Sequence, residues 1–396
     1  MPRPPRAPRS DSVPQLRLKR ALRSAIEAGH PWVYRDALHA FDLEPGTVVR
    51  VVDERGPIAT GLAESGPIGV RVLALRSTEI DEAFFASRVA RAASLRDRVV
   101  PAETDAYRLV NGEGDGLPGT IVDVYARWAV VQFDGAAAER YRDAIVAGIR
   151  AVRPALEGIL VRVGRREAKR TEIAYGSAPD GVIEVREHGM VLRADLVHGQ
   201  KTGLFLDHRE SRHRVRALAR GARVLNLYGY TGGFSIAAGI GGAHHVDTVD
   251  VAAGALKLAE ESWARNDLAA AHHTHTRDAP EFLDEARSRG RKWDIVIADP
   301  PSFAPNEASV PNAIKSYRAL HRACLRVLEP NGIYLAASCS SHIDRATFDR
   351  TLREAAEKIG PVQVLERSGA PADHPRLAAF PEGDYLKIIL ARRLDD

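Results

Sequence analysis

The stretch Val224-Leu-Asn-Leu-Tyr-Gly-Tyr-Thr-Gly-Gly-Phe234 decides the fold. An apolar run enters a glycine-bearing turn and continues as a helical stretch, which reads as strand, tight turn and helix. Such a turn places a ligand at the carboxyl edge of a sheet, because Gly229 and Gly232 admit close backbone approach and the helix start offers unpaired N–H groups. Alone, the pattern is equally a plain strand-to-helix turn. The next strands change that balance. His245–Asp250 ends in a carboxylate placed for the two hydroxyls of a ribose, Asp278 follows the strand His273–Thr276, and Asp299-Pro-Pro-Ser-Phe303 follows the strand Asp294–Ala298. Four successive strand ends thus carry ligand-type groups, whereas solvation alone would scatter such acids along the elements.

Further strands at Arg223–Leu227, Gly332–Ser338, Val362–Glu366 and Lys387–Ala391 alternate with helices beginning near Gly233, Ala253, Pro280, Ala313 and Arg345. Residues 189–396 are therefore predicted to form an open, doubly wound α/β sheet. No long helical stretch separates the last two strands, which permits an antiparallel final pair. Upstream, short alternating runs at Val48–Val52, Ile58–Leu62 and Val70–Leu75 predict a small β-rich module over 15–80, behind a disordered basic tail at 1–14. A connecting helix is expected over 81–104. A small α+β domain is expected over 105–188, with strands near Tyr107–Val110, Thr120–Val124, Trp128–Phe133 and Gly158–Val163 and a helix from Ala137 to Val152. Its loop contains Gly114-x-Gly116-x-x-Gly119, formally a dinucleotide fingerprint. That reading is rejected, because Pro118 and a following β-run make a hairpin-like connection rather than a helix start.

The 396 residues are 45% hydrophobic and 27% charged, the composition of an ordinary folded protein with two or three domains. No apolar run approaches the ~18–20 residues of a membrane span, and Met1-Pro-Arg-Pro-Pro-Arg6 lacks the apolar core of a secretion signal. With two cysteines, a cytoplasmic location without membrane attachment is expected. The net charge of +4 conceals an uneven distribution: residues 1–35 carry +6 and the remainder −2. A second basic run spans Arg162, Arg165, Arg166, Lys169 and Arg170, opposed only by Glu167. Basic clusters on a neutral body suit a polyanion such as RNA, although such runs are often plain solvated faces. Histidines 244, 245, 272, 273 and 275 lack the cysteines or spaced carboxylates that would complete a metal site, so no metal is expected. A homodimer is compatible with the sequence.

The glycine turn with Asp250, Asp278 and Asp299-Pro-Pro301 resembles the class I S-adenosylmethionine-dependent methyltransferases, which have a Rossmann-like fold. Gln200-Lys-Thr-Gly-Leu-Phe-Leu-Asp-His-Arg209, Tyr230-Thr-Gly-Gly-Phe234, Ser338-Cys-Ser340, Asp373-His-Pro375 and Pro381-Glu-Gly-Asp-Tyr-Leu-Lys387 narrow this. Together they resemble the bacterial rRNA large subunit methyltransferase I family, which makes 5-methylcytosine in 23S rRNA. The likeness runs back through Tyr107–Gly119 to the first module, which resembles a PUA domain, an RNA-binding fold.

The resemblance implies S-adenosyl-L-methionine as cofactor, held by Gln200, Lys201, Thr202, Phe205, Gly229, Thr231, Gly232, Asp250, Asp278 and Asp299, and an RNA substrate, 23S rRNA. Cytosine C5 is a poor nucleophile until a thiolate adds to C6. Cys339 is the implied nucleophile and Asp299 the residue holding the flipped-out base, with Pro300, Pro301 and Arg209 at the substrate. Arg209 and Asp207 could equally form a structural ion pair. Cys324, among Leu320, Leu325 and Leu328, reads as core. One departure matters: two-cysteine RNA cytosine methyltransferases carry a cysteine just after the Pro-Pro pair, where this chain has Ser302, so the base that removes the C5 proton is unassigned. Asp-Pro-Pro-Ser-Phe also resembles the motif of enzymes that methylate exocyclic amines, which leaves adenine N6 or guanine N2 methylation of RNA as an alternative. A catalytically silent RNA-binding protein is the second, and a small-molecule methyltransferase leaves the first two hundred residues unexplained.

Overall fold

The computed structural model describes residues 13–164 and 170–395. Most of the expected tail, and Arg165, Arg166, Glu167 and Lys169 of the second basic run, lie outside the described residues.

The first module comprises β1 (Gln15–Arg17), α1 (Arg23–Glu27), β2 (Trp32–Tyr34), β3 (Val48–Asp53), β4 (Gly56–Ala63) and β5 (Ile68–Ala74). Its five strands are ordered β1-β3-β4-β5-β2, with only β1–β3 parallel. Period-two alternation sends Leu16, Val49, Val51 and Val70 into a core closed by Ile26 and Val33. The same alternation leaves Arg17 and Lys19 exposed. Arg23 and Arg35 are spent on internal bonds, Arg23 to Asp53 at 2.6 Å and Arg35 to the Gly66 carbonyl at 3.0 Å.

The middle unit holds α2 (Glu82–Val99), β6 (Ala106–Asn111), β7 (Thr120–Tyr125), β8 (Trp128–Phe133), α3 (Ala136–Glu139), α4 (Arg142–Val152), β9 (Gly158–Val163) and β10 (Arg170–Gly176). The expected helix from Ala137 breaks into α3 and α4 between Glu139 and Arg142. Helix α2 is more than a connector: capped by Asp81, it packs Phe85, Val89 and Ala92 with Ile145 and Ile149 of α4 on one face of the sheet β10-β9-β8-β7-β6. The glycine loop joins antiparallel β6 and β7 as a hairpin, with Gly116 and Gly119 at positive φ.

A two-stranded hairpin, β11 (Ile183–Glu187) and β12 (Met190–Ala194), follows and is bound to the next unit through Val191 N–H to Asn266 Oδ1 and Arg193 N–H to Ser262 Oγ, both 3.0 Å. The boundary expected between 188 and 189 falls inside this hairpin, which periodicity alone did not reveal.

The last unit runs α5 (Arg209–Leu218), β13 (Arg223–Leu227), α6 (Gly233–Ile240), β14 (His245–Asp250), α7 (Ala253–Arg265), β15 (Ala271–Thr276), α8 (Ala279–Ser288), β16 (Trp293–Ala298), α9 (Val310–Val327), β17 (Leu328–Ser338), α10 (Arg345–Ala356), β18 (Val362–Ser368) and β19 (Lys387–Arg393). Strand order is β15-β14-β13-β16-β17-β19-β18, with the first five parallel and β19 inserted antiparallel between β17 and β18. Strand order reverses at β13, between β14 and β16, which opens the crevice where such sheets bind ligands.

The loop between β18 and β19 returns to the middle unit and plugs into it. Asp373 accepts both Nη groups of Arg209 at 2.9 and 3.0 Å and the Arg108 N–H at 3.0 Å, while its carbonyl accepts from Arg96 at 2.7 Å. Asn111 donates to the Pro375 carbonyl at 2.9 Å, and a side chain at Gly114 would collide with that oxygen. Asp373, Arg209 and Arg96 are buried and mutually satisfied, so a polar joint, and not only a linker, holds the two units together.

Candidate functional site

A cavity of about 320 Å³ opens at the carboxyl ends of β13, β14, β16 and β17. The turn after β13 forms its floor. Both Tyr228 (φ 58°) and Tyr230 (φ 47°) adopt the left-handed region without being glycine, a conformation that costs each about 1–3 kcal/mol and concentrates at ligand sites. Two anchors hold the turn: the Tyr230 N–H donates to Asp250 Oδ2 at 2.9 Å, and the Gly229 N–H to the Val249 carbonyl at 2.9 Å. Gly229 and Thr231 line the cavity. Gly232 stands behind it at φ 75°, where a Cβ would lie 2.6 Å from the Ala259 methyl.

Asp250 and Asp278 line one end. Asp250 also accepts from the Ala252 N–H at 2.8 Å, whereas Asp278 caps α8 through one oxygen at 3.3 Å and its other oxygen has no hydrogen-bond partner among the described residues. The segment before the sheet closes over this floor. The Tyr230 hydroxyl accepts from the Gln200 N–H at 2.8 Å and donates to the Gly203 carbonyl at 3.3 Å. Phe205 packs edge-on to Tyr230, and Lys201 lies over the Phe205 ring while donating to Asp207 at 2.9 Å. Gln200, Lys201 and Phe205 therefore line the cavity.

Two expected site residues of this segment are engaged elsewhere. Thr202 is buried and donates to Asp123 at 2.6 Å beside the Tyr125 hydroxyl, which pins the segment to the middle unit. Arg209 is buried in the Asp373 joint and does not line the cavity; it pairs with Asp373, not with Asp207, which is held by Lys201 and Tyr385. Asp123 and Asp373 are both far away in the chain, beyond the reach of local pattern reading.

The other end carries Asp299, Pro300, Pro301 and Cys339. A shared hydroxyl network ties the loops that bear them. Ser340 Oγ accepts from the N–H groups of Phe303 and Ala304 at 3.1 and 3.3 Å and from Ser302 Oγ at 3.2 Å, and Tyr317 bridges Ser338 and Ser340 at 2.9 and 2.8 Å. Buried Lys387, paired in register with Ser338, donates to the carbonyls of Ser340 at 2.6 Å and Tyr385 at 2.8 Å. Burial lowers its ammonium to about 8, opposed by the charge of Cys339. Cys339 itself is raised by burial and by the Asp299 carboxylate, with Lys201 pulling the other way. Cys324 sits in the core at full burial, pushed up to about 12.

His208 was not anticipated. It lines the cavity, contacts Asp299 Oδ2 through Nε2 at 3.1 Å and packs on Phe234. The only sequence signal was a histidine between Asp207 and Arg209. Among the described residues no cluster of histidine, cysteine and carboxylate side chains is arranged to hold a metal. His245 and His275 instead bond Asp247 at 3.0 and 2.7 Å. No helix of the described residues is long and apolar enough to cross a membrane.

Comparison with known proteins matches residues 159–392 to a family described as S-adenosylmethionine-dependent methyltransferase and residues 16–75 to a PUA-like domain. A ribosomal RNA large subunit methyltransferase of Deinococcus radiodurans is 36% identical over 96% of this chain and 98% of its own length. A ribosomal RNA large subunit methyltransferase I of Salmonella arizonae is 34% identical over 96% and 98%. A solved chain described as a methyltransferase complexed with SAH superposes at TM-score 0.87 with 25% identity, over 96% of this chain and all of that one.

Proposed function

Because this chain belongs to the S-adenosylmethionine-dependent rRNA large subunit methyltransferase I family, we propose that it methylates cytosine C5 in 23S rRNA with Cys339 as nucleophile. One observation carries the mechanism: Cys339 and Asp299 end adjacent parallel strands on one cavity wall, and the Ser340 network fixes their loops to each other. The cavity suits the cofactor. It offers a glycine floor, the second oxygen of Asp278, Asp250 beside it, and the aromatic walls Tyr228 and Phe205. Bound there, S-adenosylmethionine supplies an electrophilic methyl group.

The protein's part is to make C5 nucleophilic. Cys339 adds to C6, and Asp299 engages the N3–N4 edge as charge develops in the ring. Cys339 attacks as the thiolate, which Lys201 favours against the burial and the Asp299 charge that raise the thiol. Pro300 and Pro301 stiffen the loop that holds Asp299. The exposed Arg17 and Lys19 of the PUA-like module suit phosphate contact. Exocyclic-amine methylation finds less support, because the half-buried Phe303 ring packs on Tyr317 at 4.8 Å against the core and no aromatic of that loop lines the cavity.

The deciding experiment transfers labelled methyl to rRNA from a strain lacking the enzyme, followed by nucleoside analysis. 5-Methylcytosine is expected; a methylated exocyclic amine sinks the cytosine reading, and cofactor binding without transfer favours a silent RNA-binding protein.

A further inference from the structure

His208 is an imidazole with one nitrogen used and one bare. Nε2 lies 3.1 Å from Asp299 Oδ2, while Nδ1 is buried and has no hydrogen-bond partner among the described residues. Its side chain is 3% exposed and that of Asp299 19%, so the pair is a shielded histidine behind a carboxylate that opens on the cavity. Leaving a buried ring nitrogen bare costs about 1–3 kcal/mol. Among the described residues nothing recovers that cost: the ring packs on Phe234, and its neighbours Asp207 and Arg209 engage the Lys201–Tyr385 and Asp373 networks.

We propose that His208 is a positioning and proton-holding partner of Asp299. The inference rests on the cytosine reading above and extends it. The Nε2 contact occupies Oδ2 and leaves Oδ1 for the base, which fixes the carboxyl rotamer. In the proposed step the pair delivers one proton to the base through Asp299 and takes it back. As the Sγ–C6 bond forms, the C5=C6 electron pair shifts through C4 to N3, and N3 takes that proton from Asp299. When C5 later loses its hydrogen, C5=C6 re-forms, the thiolate departs and N3 returns the proton to the pair. The pair lends and recovers one proton, and the C5 hydrogen is the net proton released. Other charged groups around His208 are Cys339 from the strand end, Lys201 and Asp207 from its own segment, and Arg212 one turn on. Arg212 is neutralised by Glu187 at 2.6 Å, and His374 and Tyr385 lie beyond Asp207.

Thiolate addition and N3 protonation make C5 exchangeable before any methyl moves, so the step is read without turnover. Tritium release from RNA labelled at cytosine C5 is measured against pH with SAH in place of the methyl donor, for the wild type, His208→Phe and His208→Gln. His208→Phe is expected to slow release by about 10²-fold. His208→Gln, which can still donate to Asp299 but cannot carry the proton, is expected to fall between and to lose the acid-side pH dependence. SAH affinity and melting temperature should match the wild type in at least the glutamine variant. Wild-type release rates and pH profiles in both variants overturn the inference, as does a loss matched by weakened SAH binding or a lowered melting temperature in both. Failure of the parent reading looks different: the wild type itself releases no tritium.

Discussion

Two cysteines fifteen residues apart occupy opposite regimes, one in the packed interior behind the catalytic sheet and one on its open edge. Cys324 lies on α9 inside the core with Leu320, Leu325 and Tyr334, where burial and the Tyr334 hydroxyl act on it and no charged side chain among the described residues does. Cys339 ends β17 on the cavity wall, and Asp299, Lys201, Asp207 and Lys387 all act on it. Burial raises both thiols, so burial does not distinguish a reactive cysteine from an inert one. The surrounding charges do, because only at Cys339 can a change of ionisation nearby shift the thiolate balance.

The contrast breaks most sharply at Cys339 itself. Cys339→Ala should lower 5-methylcytosine formation by on the order of 10⁶-fold, the scale seen when a nucleophile is deleted, with the melting temperature kept. Undiminished turnover would remove the thiolate mechanism. Next comes the interior joint: Asp373→Ala strands Arg209 in a buried setting and should cost about 3–5 kcal/mol in denaturant unfolding. A stability loss below about 1 kcal/mol would show that the joint is solvated in solution. Lys201→Met removes the cation that favours the thiolate, so the alkaline-rising limb of kcat/KM should move to higher pH, and activity near neutrality should fall. A limb that stays in place assigns Lys201 to binding alone. Cys324→Ala should be the smallest effect, about 1 kcal/mol of stability with unchanged kcat. A fall in kcat there would erase the distinction between the two regimes.

Much of this arrangement was legible in sequence because it is local. The turn at Tyr228–Gly232 announces itself in glycines next to a strand, and Asp250 and Asp299 close β14 and β16, whose interiors are buried, while Asp278 follows the polar β15. What escaped depends on distance along the chain. Thr202 and Arg209 stand in the same short segment as Lys201 and Phe205, yet Asp123 and Asp373 claim the first pair and the cavity claims the second. No local pattern encodes that choice. Strand β10 escaped for another reason: its polar, half-exposed residues carry little hydrophobic periodicity. The hairpin β11–β12 does alternate, burying Val185, Met190, Leu192 and Ala194, but each strand is only five residues long. His208 required geometry, since only the fold brings it to Asp299.

The placement of β19 between β17 and β18 has a consequence for the order of synthesis. Cys339 leaves the peptidyl-transfer centre 48 residues before Lys387, which pins the carbonyl beside it, and before Tyr385 and Asp373, which brace Asp207 and Arg209. At typical elongation rates that gap lasts roughly 2–10 seconds. Through that interval the outer edge of β17 is unpaired and the cavity wall unfinished. The machine that makes this enzyme contains the kind of RNA it is proposed to modify, and the fold withholds a finished site until the strand that completes it has emerged.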